Sequence, residues 1–187
     1  MKFFLTSAAL LAAVVLFVNP PAVAQEKGKT AAAELTAESQ KALAAVTATV
    51  PLAKSLAQKA TAILVFPSVQ KAGLGIGGQY GEGTLLKGGT AAAYYKTTGA
   101  SLGLQAGGQQ YGYAMFLMNP GAVAQLDVAN GFEVGVGPSI VMVDEGMGKS
   151  TTTTTLDKDI YAFIFSQKGL MAGLGIQGNK ISKITPK

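Results

Sequence analysis

The sequence predicts an α+β domain in which a curled antiparallel β-sheet, or a barrel-like sandwich, packs against N-terminal helices and carries one inserted helix. Three observations lead there. Apolar residues recur at helical spacing between Ala31 and Ala60, and from Ala62 onward the period becomes that of strands. Within the strand-like part, bulky aliphatics alternate with glycine in Leu74-Gly75-Ile76-Gly77, Leu102-Gly103-Leu104, Val134-Gly135-Val136-Gly137 and Leu174-Gly175-Ile176. Alternate residues of a strand share a face, so each segment presents side chains on one side and bare backbone on the other. A bare face lets another layer come unusually close, or lets the sheet curl tightly.

The elements follow in chain order. Lys2, an apolar run from Phe3 to Val18, two prolines and Ala22-Val23-Ala24 have the pattern of a secretory signal peptide over residues 1–24, with cleavage after Ala24. The run is shorter than the roughly 20 residues that span a bilayer. No cysteine follows it to take a lipid, so the expected product is released into the periplasm or the medium. Residues 25–30 are polar and predict a short disordered linker, and 31–187 form the single folded domain. Leu35, Ala42, Leu43 and Val46 make one face of a first helix, and Pro51 opens a second through Ala60, with Leu52 and Leu56 inward.

Ala62 to Phe66 is a strand that Pro67-Ser68 is expected to stop. Lys87-Gly88-Gly89-Thr90 has the two-glycine connection of a tight hairpin. Asn119 can cap a short helix that Pro120 begins and Asn130-Gly131 closes. Thr151 to Thr155 is a β-branched stretch, Asp157 to Asp159 a turn, and Ile160 to Phe165 a strong strand.

Composition narrows the chemistry. All 15 basic residues are lysine, and with 10 acidic residues the net charge is +5. Scattered lysine without arginine is not the footprint of a nucleic-acid binder, whereas an anionic lipid surface suits it. The absence of histidine and cysteine removes Ser-His-Asp, Cys-His and histidine-ligated zinc chemistry. Carboxylates leave one enzymatic alternative, a hydrolase using Glu82, Glu133, Asp144 or Glu145. Gly73 to Gly78 and Gly173 to Gly178 match G-x-G-x-x-G, but neither is followed by a helix-forming stretch, so no nucleotide cofactor is expected. Gly148-Lys149-Ser150 imitates the end of a phosphate-binding loop without its first glycine, since position 143 is Val143.

Taken together, Pro51 to Ala60, Ile63 to Pro67, the glycine-rich Lys71 to Gly83, Ser101 to Gly107 and Asp159 to Phe163 resemble the SYLF domain family over about Leu35 to Pro186. The resemblance implies a non-enzymatic domain that recognises acidic phospholipid headgroups, including phosphoinositides, and in some eukaryotic members binds actin filaments. In those members lipid binding is attributed to a basic amphipathic N-terminal segment, which Lys41 to Lys59 matches here. The signal peptide sets actin aside as a partner. The lysines expected to meet a membrane are Lys41, Lys54, Lys59 and Lys71. The competing expectation is an envelope scaffold that grips a protein partner through a flat, glycine-smoothed sheet.

Overall fold

The computed structural model describes residues 22–128, 131–134, 140–143, 158–169 and 178–187. Helix α1 spans Ala22–Thr49 and α2 spans Pro51–Lys59. Their junction is nearly continuous: the Val50 N–H donates to Val46 O and the Lys54 N–H to Val50 O. Pro51, at the first helical position, needs no donor there.

Two long strands dominate. β1 (Ala62–Lys87) and β2 (Thr90–Leu117) form one antiparallel hairpin, paired from Lys87↔Thr90 at the turn to Ala62↔Leu117 at the far end. Gly88 and Gly89 have φ of +56° and +82°, the paired left-handed geometry of a two-residue type I′ turn that side-chain-bearing residues adopt at a cost. The other edge of β2 is shared. β5 (Ile160–Gly169) pairs with Gln109–Leu117, and β6 (Lys180–Ile184) with Tyr94–Thr98. β3 (Phe132–Glu133) adds to β6, and β4 (Ile140–Val143) adds to β5, completing six strands among the described residues. After β2 comes α3 (Pro120–Ala124), which continues as a 3₁₀ turn to Asp127; the Asn119 side chain caps it, accepting from Ala122 N–H at 2.8 Å.

Strand alternation divides the interior in two. Leu64, Phe66, Tyr113, Met115, Ile160 and Ala162 face one cluster, inside the curl, closed by Leu126 and Phe132. Ile63, Val65, Ala114, Phe116, Tyr161 and Phe163 face the other, under Val46, Leu52, Ala53 and Leu56 of the helices. The middle of the sheet is therefore buried on both faces. Polar contacts fasten α1 to the hairpin: Gln40 Nε2 donates to Gly89 O at 2.8 Å, and the buried Ser39 hydroxyl lies 3.1 Å from Thr84 Oγ1 and 3.4 Å from Val65 O.

The curl depends on missing side chains. A Cβ at Gly81 would come within 2.7 Å of both Ser68 O and Val69 Cγ2, and one at Gly83 would collide with Val65 O and the Phe66 ring. β1 thus bends until its second half lies against its first, which the glycine alternation anticipated.

The α+β class and the curled sheet are as expected, with one parallel pairing, β4 beside β5, at the sheet's edge. Two local expectations need correction. Pro67 does not end a strand: β1 continues past it through a register shift between Phe66 and Val69, a bulge where the missing donor breaks no ladder bond. Residues 25–30 are helical rather than a disordered linker, because α1 begins at Ala22 and no proline interrupts it, so cleavage after Ala24 would fall in its first turn. Gly73 to Gly78 lies within β1, and Gly178 precedes β6, so neither glycine motif opens a helix. Residues 1–21, the runs Gly135 to Gly137, Thr151 to Thr155 and Leu174 to Ile176, Asp157, and Gly148-Lys149-Ser150 lie outside the described residues. Among the described residues no helix is long and apolar enough to cross a membrane.

Candidate functional site

The helical layer brings three of the expected lysines to the surface. Leu52, Ala53 and Leu56 turn one face of α2 into the core, which leaves Lys54 and Lys59 exposed on the remainder. Lys41 is exposed on α1, one residue beyond the Gln40 that holds the hairpin turn. Between Glu38 and Glu82 the chain carries Lys41, Lys54, Lys59 and Lys71 and no carboxylate.

Lys71, the fourth of the expected lysines, lies apart from that layer. It is 8% exposed, on β1, directly opposite Gln109 of β2. The signal was present two residues earlier: Val69 is fully buried, and in a strand residues two apart share a face. Where β5 ends, a shallow groove of about 380 Å³ runs over Gly108, lined by Gln70, Lys71, Gln109, Gln110 and Lys168. Among the described residues no carboxylate lines it. Gln109 is 7% exposed and its Oε1 has no hydrogen-bond partner among the described residues. Lys168 was not singled out from the sequence, where it is one exposed lysine among many.

A second groove, of about 470 Å³, lies between the 3₁₀ turn and β6 and also holds lysines, Lys180 and Lys183. Its charge is partly answered from within. Lys183 Nζ is 3.1 Å from Asp127 Oδ1, to which the Tyr95 hydroxyl also donates at 3.0 Å. The Lys183 hydrogen bond first, and that of Tyr95 second, hold the Asp127 carboxyl below the usual range.

Inside the curl is a buried polar network. The Tyr111 hydroxyl donates to Gln79 Oε1 at 2.6 Å, and Gln79 Nε2 donates to Asn179 Oδ1, joining β1, β2 and the approach to β6. Gly99 leaves the room for this, since a Cβ there would lie 2.5 Å from Asn179 Oδ1 and 2.6 Å from Gln79 Nε2. Burial pushes the Tyr111 hydroxyl up to about 12, opposed by Asn179. Tyr113 is fully buried 6.3 Å from Tyr111 between ring centroids, and burial holds its pKa far above the ordinary value. Its hydroxyl has no hydrogen-bond partner among the described residues. Tyr113→Phe should therefore change unfolding stability by less than about 1 kcal/mol, whereas Tyr111→Phe, which strands Gln79 Oε1, should cost about 1–2 kcal/mol. Urea denaturation of the two variants measures the contrast.

The carboxylates considered for acid–base chemistry do not gather among the described residues. Glu82 accepts from the exposed Tyr80 hydroxyl, whose pKa rises to about 12 chiefly through that bond, and Glu133 is exposed opposite Lys180. Asp144 and Glu145 lie outside the described residues. No group of three or more acidic side chains suited to a metal ion occurs among those described.

These features define a class: a glycine-rich, curled α+β domain that displays lysines on a helical layer and at the end of one strand. Residues 98–185 match the family model described as "Ysc84: Las17-binding protein actin regulator". That match agrees with the resemblance to the SYLF family, two of whose motifs, Ser101 to Gly107 and Asp159 to Phe163, fall inside it; the other resembling motifs lie ahead of it. No curated protein matches the chain.

Proposed function

We propose that this protein is a non-enzymatic, exported lipid-binding domain that associates with anionic phospholipid surfaces in the periplasm or outside the cell. The observation that carries the reading is the acid-free interval between Glu38 and Glu82, three of whose lysines, Lys41, Lys54 and Lys59, are exposed on the helical layer. The family match, whose members are linked to lipid and actin-related binding, supports it. Each lysine held near an anionic surface contributes about 1 kcal/mol, screened by salt. Removing all three, as Lys41→Ala, Lys54→Ala and Lys59→Ala together, is expected to weaken binding about a hundredfold at low salt.

Sedimentation with vesicles tests this. Binding should require acidic lipid and fall as salt rises; equal pelleting with zwitterionic vesicles, indifferent to salt, would sink it. The family description names a protein-binding member, so the second reading is an envelope scaffold with a protein partner. A cross-linked partner with no vesicle binding would favour that instead.

A further inference from the structure

β5 carries one residue more than its partner can match. Phe165 pairs with Gly112 of β2 and Lys168 with Gln110, so Ser166 and Gln167 together stand opposite Tyr111. That is a β-bulge, and it moves every later residue of the strand to the opposite face. Ser166 takes a φ of +53° there, the sole positive φ at a non-glycine residue among those described. Side-chain-bearing residues rarely adopt that conformation, and it persists where the surrounding structure fixes it. Phe165 secures one flank, its ring lying on Gly112, where an added Cβ would be 2.7 Å from Cζ.

Pairing fixes the faces. Phe116, Ala114, Gly112 and Gln110 alternate along the side of β2 that the helices cover, whereas Tyr113, Tyr111 and Gln109 point into the curl. Lys168, opposite Gln110, therefore lies on the helical side and is exposed. Without the extra residue it would stand opposite Gln109, whose partner on the other edge is Lys71, and two lysines would share one buried row. Drawing two like charges from water onto a buried face is unfavourable. With the bulge, Gln70, Gln110 and Lys168 form an exposed row across β1, β2 and β5, in which Gln110 Nε2 donates to Ser68 Oγ at 2.8 Å.

The helical side is also where Lys41, Lys54 and Lys59 are exposed. We propose that Lys168 is a further cation of that side toward an anionic membrane, and that Ser166 is the positioning residue that turns it there. The assignment rests on the membrane reading and adds to it a contribution from the sheet. A lysine one layer behind the helices still attracts an anionic surface resting on them when salt is low, because the Debye length reaches about 30 Å at 0.01 M.

Sedimentation at low salt with vesicles of phosphatidylglycerol and phosphatidylcholine provides the test, with urea denaturation to establish that each variant folds. Lys168→Ala should weaken binding about threefold. Deleting Ser166 restores plain alternation and turns Lys168 inward with its charge intact, so binding should fall as far. In that deletion, Gln167→Lys combined with Lys168→Gln places a lysine opposite Gln110 again and should restore binding, which repair of a merely weakened sheet would not explain. Ser166→Gly keeps the bulge, since glycine adopts positive φ freely, and should bind as wild type with a raised urea midpoint. Ser166→Val, whose branched side chain resists positive φ, is a milder variant than the deletion and should lower binding in the same direction.

Binding that survives Lys168→Ala but is lost when the three helical lysines are replaced overturns the assignment and keeps the membrane reading. A wild-type chain indifferent to acidic lipid overturns both. A folded deletion or Ser166→Val variant that binds as wild type, while Lys168→Ala does not, overturns the role of Ser166.

Discussion

Phe116→Ala is expected to lower the unfolding free energy by about 3–5 kcal/mol, the range for removing a fully buried phenyl ring. The ring is 0% exposed and sits between the sheet and the helical layer, edge-on to Phe163 with centroids 5.2 Å apart and planes at 75°. Its loss withdraws apolar contact from α1, α2 and β5 together. Neither the helices nor the sheet can collapse into the gap without breaking the register of β2 against β1 and β5. The midpoint in urea should fall sharply while the transition stays cooperative. A change under about 1 kcal/mol would mean that the helices do not pack where they are described.

Gly83→Ala should be nearly as damaging, at about 1–3 kcal/mol from a single added methyl. Overpacking is mild when the obstructing group is the end of a flexible side chain. Here the first obstacle is the backbone carbonyl of Val65, and the next is the Phe66 ring, with Cδ1 2.7 Å from the added carbon. Neither can swing aside, because Val65 and Phe66 are themselves paired with Ala114 and Tyr113. Gly78→Ala is the internal comparison. On the same strand, its Cβ would meet nothing nearer than Gly99 O at 3.9 Å, so stability should move by no more than about 0.5 kcal/mol. Similar losses at both positions, by thermal or urea denaturation, would point to strand propensity rather than the self-contact of β1.

What the sequence disclosed follows from how local each signal is. The turn at Gly88-Gly89 and the cap at Asn119 were legible because their chemistry spans two to four residues. The inward face of α2 was legible from Leu52 and Leu56. The length of β1 was not: Pro67 is a strong stop signal, and only the pairing of Val69 with Tyr111 shows that a bulge carries the strand past it. The helical extension over residues 25–30 was hidden because polarity suggests disorder while the same residues also tolerate a helix. For the candidate site, the exposure of Lys41, Lys54 and Lys59 follows from their places on the helices, but a run of lysines says nothing about which one the sheet encloses. Lys168 and Gln109 meet Lys71 only through β2 pairing on both edges, across sequence separations that no local pattern encodes.

The twofold burial of the central strands has a consequence for how this chain avoids mispairing. In a sheet with one wet side, slipping a strand by a single position would turn oily groups toward water, and solvation alone would forbid it. Here Ala62–Phe66, Tyr113–Leu117 and Ile160–Phe163 are apolar on both surfaces, so a slipped strand would exchange one greasy set for another. Correct alignment must then be enforced by shape: the offset at Pro67, the tight reversal before Thr90, and the notches at Gly81, Gly83 and Gly112 that accept only their own neighbours. In this molecule the smallest residues act as the ruler.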